Sequence, residues 1–135
     1  MMQDKRITYV ALFGKEYPMC LTVAAEQQLI ERFGGLEQVA NQMTDGEAGI
    51  PVVAEFAYIM MEGGQKRVKA LAWLEGEEAQ TLPVPPMEVL VDALDLADAQ
   101  YLSGKLLEAV CVSRGVTVEV AEESEEGKNG ETTQG

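Results

Sequence analysis

The 135 residues contain no histidine, and that removes much of the usual chemistry. Without imidazole there is no Ser–His or Cys–His dyad, no His-ligated zinc and no imidazole acid–base step. The thiols are Cys20 and Cys111. A reactive thiol needs a nearby cation or base to lower its pKa. Arg114 is the only basic residue close to Cys111 in sequence, and Cys20 has none, so both read as inert core thiols. Two cysteines alone also fall short of the four ligands of a structural zinc. Among carboxylates, Asp45 and Glu47 beside Gly46 and Gly49 faintly resemble a calcium loop. The twelfth position from Asp45, where a bidentate Glu is required, is Phe56, so the segment reads as a solvated loop. Glu75, Glu77 and Glu78 cluster beside Gly76, and paired carboxylates can do acid–base work. They lie in a polar linker with no sign of an apolar pocket to raise a pKa, so a solvated loop is expected there too. No catalytic, metal-binding or cofactor-binding residue is assigned, and the expectation is a protein that is not an enzyme.

Two groups of side chains read instead as binding surface. Lys66, Arg67 and Lys69 form the one basic cluster. They are expected to open a helix, where positive charge opposes the helix dipole. That mismatch suits a face for an acidic segment, this protein's own tail included, and the competing reading is a solvated helix face. Tyr58, Met60, Met61 and Trp73 concentrate large soft side chains around Gly63-Gly64. Tyr58 and Met61 fall off the stripe made by Phe56, Ala57 and Met60, and Met-rich surfaces adapt to partners of varied sequence. Ordinary core packing is the alternative. Tyr58, Met60, Met61, Lys66, Arg67, Lys69 and Trp73 are therefore the candidate partner-binding residues.

Composition sets the limits around these groups. Ten Lys and Arg stand against 23 Asp and Glu, a net charge of −13. Residues 1–115 hold 9 basic and 17 acidic groups, a net of −8, and residues 116–135 hold 1 and 6, a net of −5. Binding nucleic acid through phosphates needs a basic face, as does docking on an anionic membrane, so neither partner is expected. Apolar residues make up 47% of the chain, enough for one globular domain at this length. No run of about 18 apolar residues exists and no secretory h-region follows Met1, so the expected location is cytoplasmic.

The elements that must position the candidates follow from local pattern. Ile7 to Phe13 is β-prone, Gly14-Lys15 supplies a turn, and Glu16 to Leu21 returns as a second strand, with Pro18 confining it to an edge. Ile7, Tyr9, Ala11 and Phe13 share one face. Thr22 reads as an N-cap, and Leu29, Ile30 and Phe33 repeat at helical spacing until Gly34-Gly35. A short helix spans Leu36 to Met43. Another starts at Pro51, buries Val52, Val53, Phe56, Ala57 and Met60, and is expected to break at Gly63-Gly64, with Gln65 to Leu74 forming the next. Pro83, Pro85 and Pro86 forbid a helix in the linker from Gly76 to Pro86. Met87 to Arg114 is periodic, with Gly104 the expected divider. Val116 to Val120 could be a short strand. The fold class is thus α+β, mainly α: an N-terminal β-hairpin, about five helices and a disordered acidic C-terminal tail. The globular domain is placed at 1–120 and the tail at 121–135.

The order of these parts carries a resemblance. Gly14, Tyr17, Pro18 and Leu21, then Phe33 and Gly34 closing the first helix, resemble the "G-x-x-Y-P-L" strand and Phe/Leu-Gly helix end of a known family. That family is the tail assembly chaperones of long-tailed phages, prophages and gene-transfer agents, and the layout matches over about residues 5–110. The resemblance implies a non-catalytic role: binding and solubilising the tape measure protein, recruiting tail tube subunits, and leaving before the virion is complete. It also implies a longer product made by a backward ribosomal slip near the end of the frame, with which Gly127-Lys128-Asn129 is compatible. Self-association stays open, although high negative charge opposes it.

A different class fits the same composition: an acidic, non-enzymatic adaptor or antagonist that binds a basic partner by charge complementarity. Glu88, Asp92, Asp95 and Asp98 could supply its face.

Overall fold

The computed structural model describes residues 5–45 and 49–115. The expected strand at 116–120, the expected disordered tail at 121–135, and Gly46, Glu47 and Ala48 of the central loop lie outside these residues. Among the described residues the architecture is α+β and mainly α, with a two-stranded antiparallel hairpin followed by five helices.

Strand β1 (Thr8–Leu12) pairs with β2 (Lys15–Met19) from Thr8↔Met19 to Leu12↔Lys15. The connecting loop is therefore Phe13-Gly14, and the expected Gly14-Lys15 turn moves back by one residue. Both loop residues have positive φ, 55° and 76°, which a two-residue hairpin loop of the I′ kind demands because its twist matches that of the strands. Glycine adopts this freely and phenylalanine does not. Thr8, Val10 and Leu12 are buried, whereas Tyr9 and Phe13 are exposed, so the face grouped from sequence as Ile7, Tyr9, Ala11 and Phe13 is the outer one.

Helix α1 (Val23–Phe33) starts where Thr22 Oγ1 accepts a hydrogen bond from Ala25 N at 3.1 Å, and ends at Gly34 in the left-handed region, whose N–H donates to Ile30 O. Helix α2 (Leu36–Met43) has its expected bounds and buries Val39 and Met43. These ends are set by local chemistry, an orphan N–H capped by a hydroxyl and an orphan carbonyl met by a glycine N–H.

Helix α3 (Gly49–Leu74) is continuous, which corrects the expected break at Gly63-Gly64. Each glycine costs roughly 1 kcal/mol of helix propensity relative to alanine. What keeps them is contact. A Cβ on Gly63 would run into the carbonyl oxygen of Cys20, and one on Gly64 would collide with Pro18 and stand 2.6 Å from Met19 N. The two glycines let the helix backbone lie directly on β2 and its continuation, and Cys20 N donates to Met60 O at 3.1 Å across the same junction.

Continuity also changes what is buried. Val53, Ala54, Phe56, Ala57, Ile59, Met60 and Met61 all lie in the core, so the buried face of this stretch of α3 is wider than the expected stripe and leaves Glu55, Tyr58 and Glu62 half-buried on its outer side. A buried face that wide needs several neighbours, and β2, α1 and α2 all pack on it. Helix α4 (Met87–Ala93) and helix α5 (Leu96–Ser113) complete the cover. The Met87–Arg114 segment divides at Leu94-Asp95, not at Gly104, which lies exposed inside α5. Asp95 caps α5 by accepting from Asp98 N at 2.8 Å, and Asp98 accepts from Asp95 N at 3.2 Å. The break resets the helical phase. Leu90 and Leu94 are buried before it and Ala99, Leu102, Leu106 and Ala109 after it, while Val91 and Tyr101 of the expected stripe are exposed.

Candidate functional site

The hairpin has two edges, and each is met by a helix. On the β2 side, Met60 lies level with Cys20 and Gly64 with Pro18, so α3 runs antiparallel to β2 toward the hairpin tip. On the β1 side, Tyr101 Oη accepts from Ala11 N at 3.1 Å and Arg6 donates to Ser113 O at 3.1 Å, so α5 also runs antiparallel to its strand. Unpaired strand edges template aggregation, and these contacts cover them.

The same register locates the candidate residues. Ten residues of α3 follow Gly64, from Gln65 to Leu74, and none of them is buried. At 1.5 Å per residue they extend about 15 Å. Strand β2 needs only about 10 Å to run from Pro18 to Lys15. The end of α3 therefore extends past Pro18 in the direction of the hairpin tip and carries Trp73 and Leu74, 77% and 71% exposed. Phe13, 46% exposed, occupies the tip itself. Lys66, Lys69 and Trp73 follow one another at i, i+3 and i+7 along one face of this segment, and all three are exposed.

The structure thus divides the seven candidates. Lys66, Lys69 and Trp73 form one exposed basic and apolar face, with Arg67 half-buried on the same turns. Met60 and Met61 are fully buried, and this corrects their assignment to a binding groove: both belong to the core-facing side of α3. Tyr58 is half-buried, packs against the core, and donates its hydroxyl to Glu62 at 2.9 Å. The basic cluster lies in the last third of α3, not at a helix start, so the expected conflict with the dipole disappears. Sequence reasoning passed over Leu74 and Phe13. A bulky aromatic placed before Gly at a hairpin loop was the available signal for Phe13, since strained backbone retained at an exposed side chain points toward function.

The linker after α3 folds back along the helix to Gln65, one turn before Lys69. Gln65 Nε2 donates to Leu82 O at 2.6 Å and to Thr81 Oγ1 at 3.3 Å. Glu75, Glu77 and Glu78 are exposed there. The far end of the molecule is held by Ser113, whose Oγ accepts from Leu21 N at 2.9 Å and lies 3.7 Å from buried Cys20 Sγ. Beside it Arg114 pairs with Glu26 at 2.6 Å. Cys111 is half-buried. Arg32 pairs with Glu55 through both guanidinium nitrogens facing it, which raises the Arg32 pKa through that hydrogen bond and the Glu55 charge. Among the described residues no group of three or more Cys, Asp or Glu is placed to hold a metal ion, and no helix is long and apolar enough to cross a membrane.

No protein-family model matches the chain, and neither a curated protein nor a solved structure does.

Proposed function

We propose that this protein is a tail assembly chaperone of a long-tailed phage or prophage, which holds the tape measure protein in solution and recruits tail tube subunits. The observation that carries the reading is the face at the end of α3, where Trp73 and Leu74 stand exposed beyond the core beside Lys66 and Lys69. Covering two large apolar side chains contributes roughly 3–6 kcal/mol before the cost of association. That suits reversible capture of an amphipathic client helix, and the flanking lysines would favour clients carrying acidic residues. The net charge of −13 adds the repulsion that keeps a loaded chaperone dispersed. The N-terminal hairpin leading through Tyr17, Pro18 and Leu21 into a helix closed by Phe33 and Gly34 is consistent with the family layout.

The test is co-expression with a tape measure protein of a long-tailed phage or prophage. A soluble complex that survives high salt supports the proposal. Complex formation that collapses with salt points instead to the acidic-adaptor reading, since exposed charge pairs are screened beyond a few ångströms at about 1 M salt. Glu88 and Asp92 are the exposed carboxylates of α4 for such a face, while Asp95 and Asp98 are tied into the α5 cap.

A further inference from the structure

The face formed by Lys66, Lys69 and Trp73 has a partner of complementary charge within the same chain. We propose that the acidic run Glu119–Glu126 docks on it, so that the chain's own C-terminal segment occupies the end of α3 until a client displaces it. This reading does not depend on the identity of the client.

Charge and reach both point to that occupant. Lys66, Arg67 and Lys69 place three positive charges within four residues, in a chain whose net charge is −13. Residues 116–126 carry Glu119, Glu122, Glu123, Glu125 and Glu126 with no basic residue. The segment leaves α5 at Gly115, beside Arg6 and level with the base of the hairpin. Lys66 and Lys69 lie about 9 and 14 Å further along α3 than Met60, which marks that same level. Crossing the two strands to reach α3 adds about 10 Å. Glu119 and Glu126 can extend about 13 and 36 Å from Gly115, so the carboxylates bracket the distance required. Individually such exposed pairs are weak, but tethering raises the effective concentration to the millimolar range and makes a weak contact populated.

Trp73 is the sole tryptophan and lies one turn beyond Lys69, so its fluorescence reports on this face alone. The experiment is acrylamide quenching of Trp73 in the full chain, compared with the full chain carrying E122Q, E123Q, E125Q and E126Q. The proposal expects quenching to rise about twofold on neutralisation, and equally on adding salt to about 1 M, with the neutralised chain insensitive to salt. K66E with K69E should reproduce the exposed state while leaving the helical signal unchanged. Quenching that is identical in the parent and neutralised chains overturns the proposal. So does protection of Trp73 that vanishes on dilution, because that would make a second copy the occupant.

Discussion

Gly64 lies so close to Pro18 that no side chain fits between them, and a Cβ at Gly64 would stand 2.6 Å from the adjoining Met19 nitrogen. This backbone-on-backbone contact joins the central helix to the hairpin and sets where the rest of α3 emerges. Gly64→Ala should therefore destabilise the fold by roughly 1–3 kcal/mol or more, since the obstruction is main chain and cannot rotate away. Gly63→Ala should behave likewise, against the Cys20 carbonyl. Gly104→Ala should do the opposite. Nothing lies within 4 Å of its Cβ position in α5, so the gain is about 0.5–1 kcal/mol. Denaturant midpoints of the three variants check the contrast in sign.

Phe13 holds φ at 55° in the hairpin loop with its ring 46% exposed. Phe13→Asn restores the residue pair that such loops favour and should stabilise the protein by about 1 kcal/mol. If Phe13 serves the client face, the same change should weaken complex formation. Opposite effects on stability and binding are the expected result, read by thermal unfolding and by co-purification.

The boundary between α4 and α5 rests on the reciprocal bonds of Asp95 and Asp98. Asp95→Ala should cost roughly 0.5–2 kcal/mol through loss of the cap. Asp95→Asn keeps an acceptor and should retain most of the stability. Chemical denaturation of the pair separates capping from charge.

Tyr58 donates to Glu62, and that bond, then partial burial, then the negative charges of Glu62 and Glu88 raise its pKa above the ordinary 10.0. The folded state thus keeps the phenol proton to higher pH than the unfolded chain. Its contribution to stability is complete below pH 10.0 and is lost as pH rises through the folded value. The stability difference between the parent and Tyr58→Phe should shrink with rising pH above about 10. In a Glu62→Gln background that pH dependence should weaken. Urea midpoints across this range provide the measurement.

Local chemistry was readable in the residues, and tertiary contact was not. The ends of α1 at Thr22 and Gly34, and the end of α2 at Thr44, follow from capping groups that act within one turn. Gly63-Gly64 reads as a helix break because propensity counts only the helix, whereas the approach of Pro18 and Cys20 comes from elsewhere in the chain. Met61 was placed off the buried stripe by assuming that the stripe is narrow, and the core-facing side of α3 is wide enough to bury it beside Met60. The division at Leu94-Asp95 was masked by apolar residues that continue in phase across it, although the Asp-x-x-Asp spacing of a capping box was present. For the candidate site, Lys66 and Lys69 were legible as part of a basic cluster and Trp73 as part of a separate group with Tyr58, Met60 and Met61, and the structure sets the three on one exposed face. Leu74 and Phe13 were not legible, because the length of α3 past Gly64 and the one-residue shift of the hairpin loop are set by tertiary contact and strand register.

The central claim is that the exposed end of α3 holds the tape measure protein. The most direct measurement is the soluble fraction of that protein when co-expressed with the parent chain and with Trp73→Asp/Leu74→Asp. Both substituted side chains lie outside the core, so the variant should fold with an unchanged far-UV spectrum. The account predicts a soluble complex with the parent and an insoluble client with the folded variant. An equally soluble client with both chains, or no complex with the parent, would contradict it.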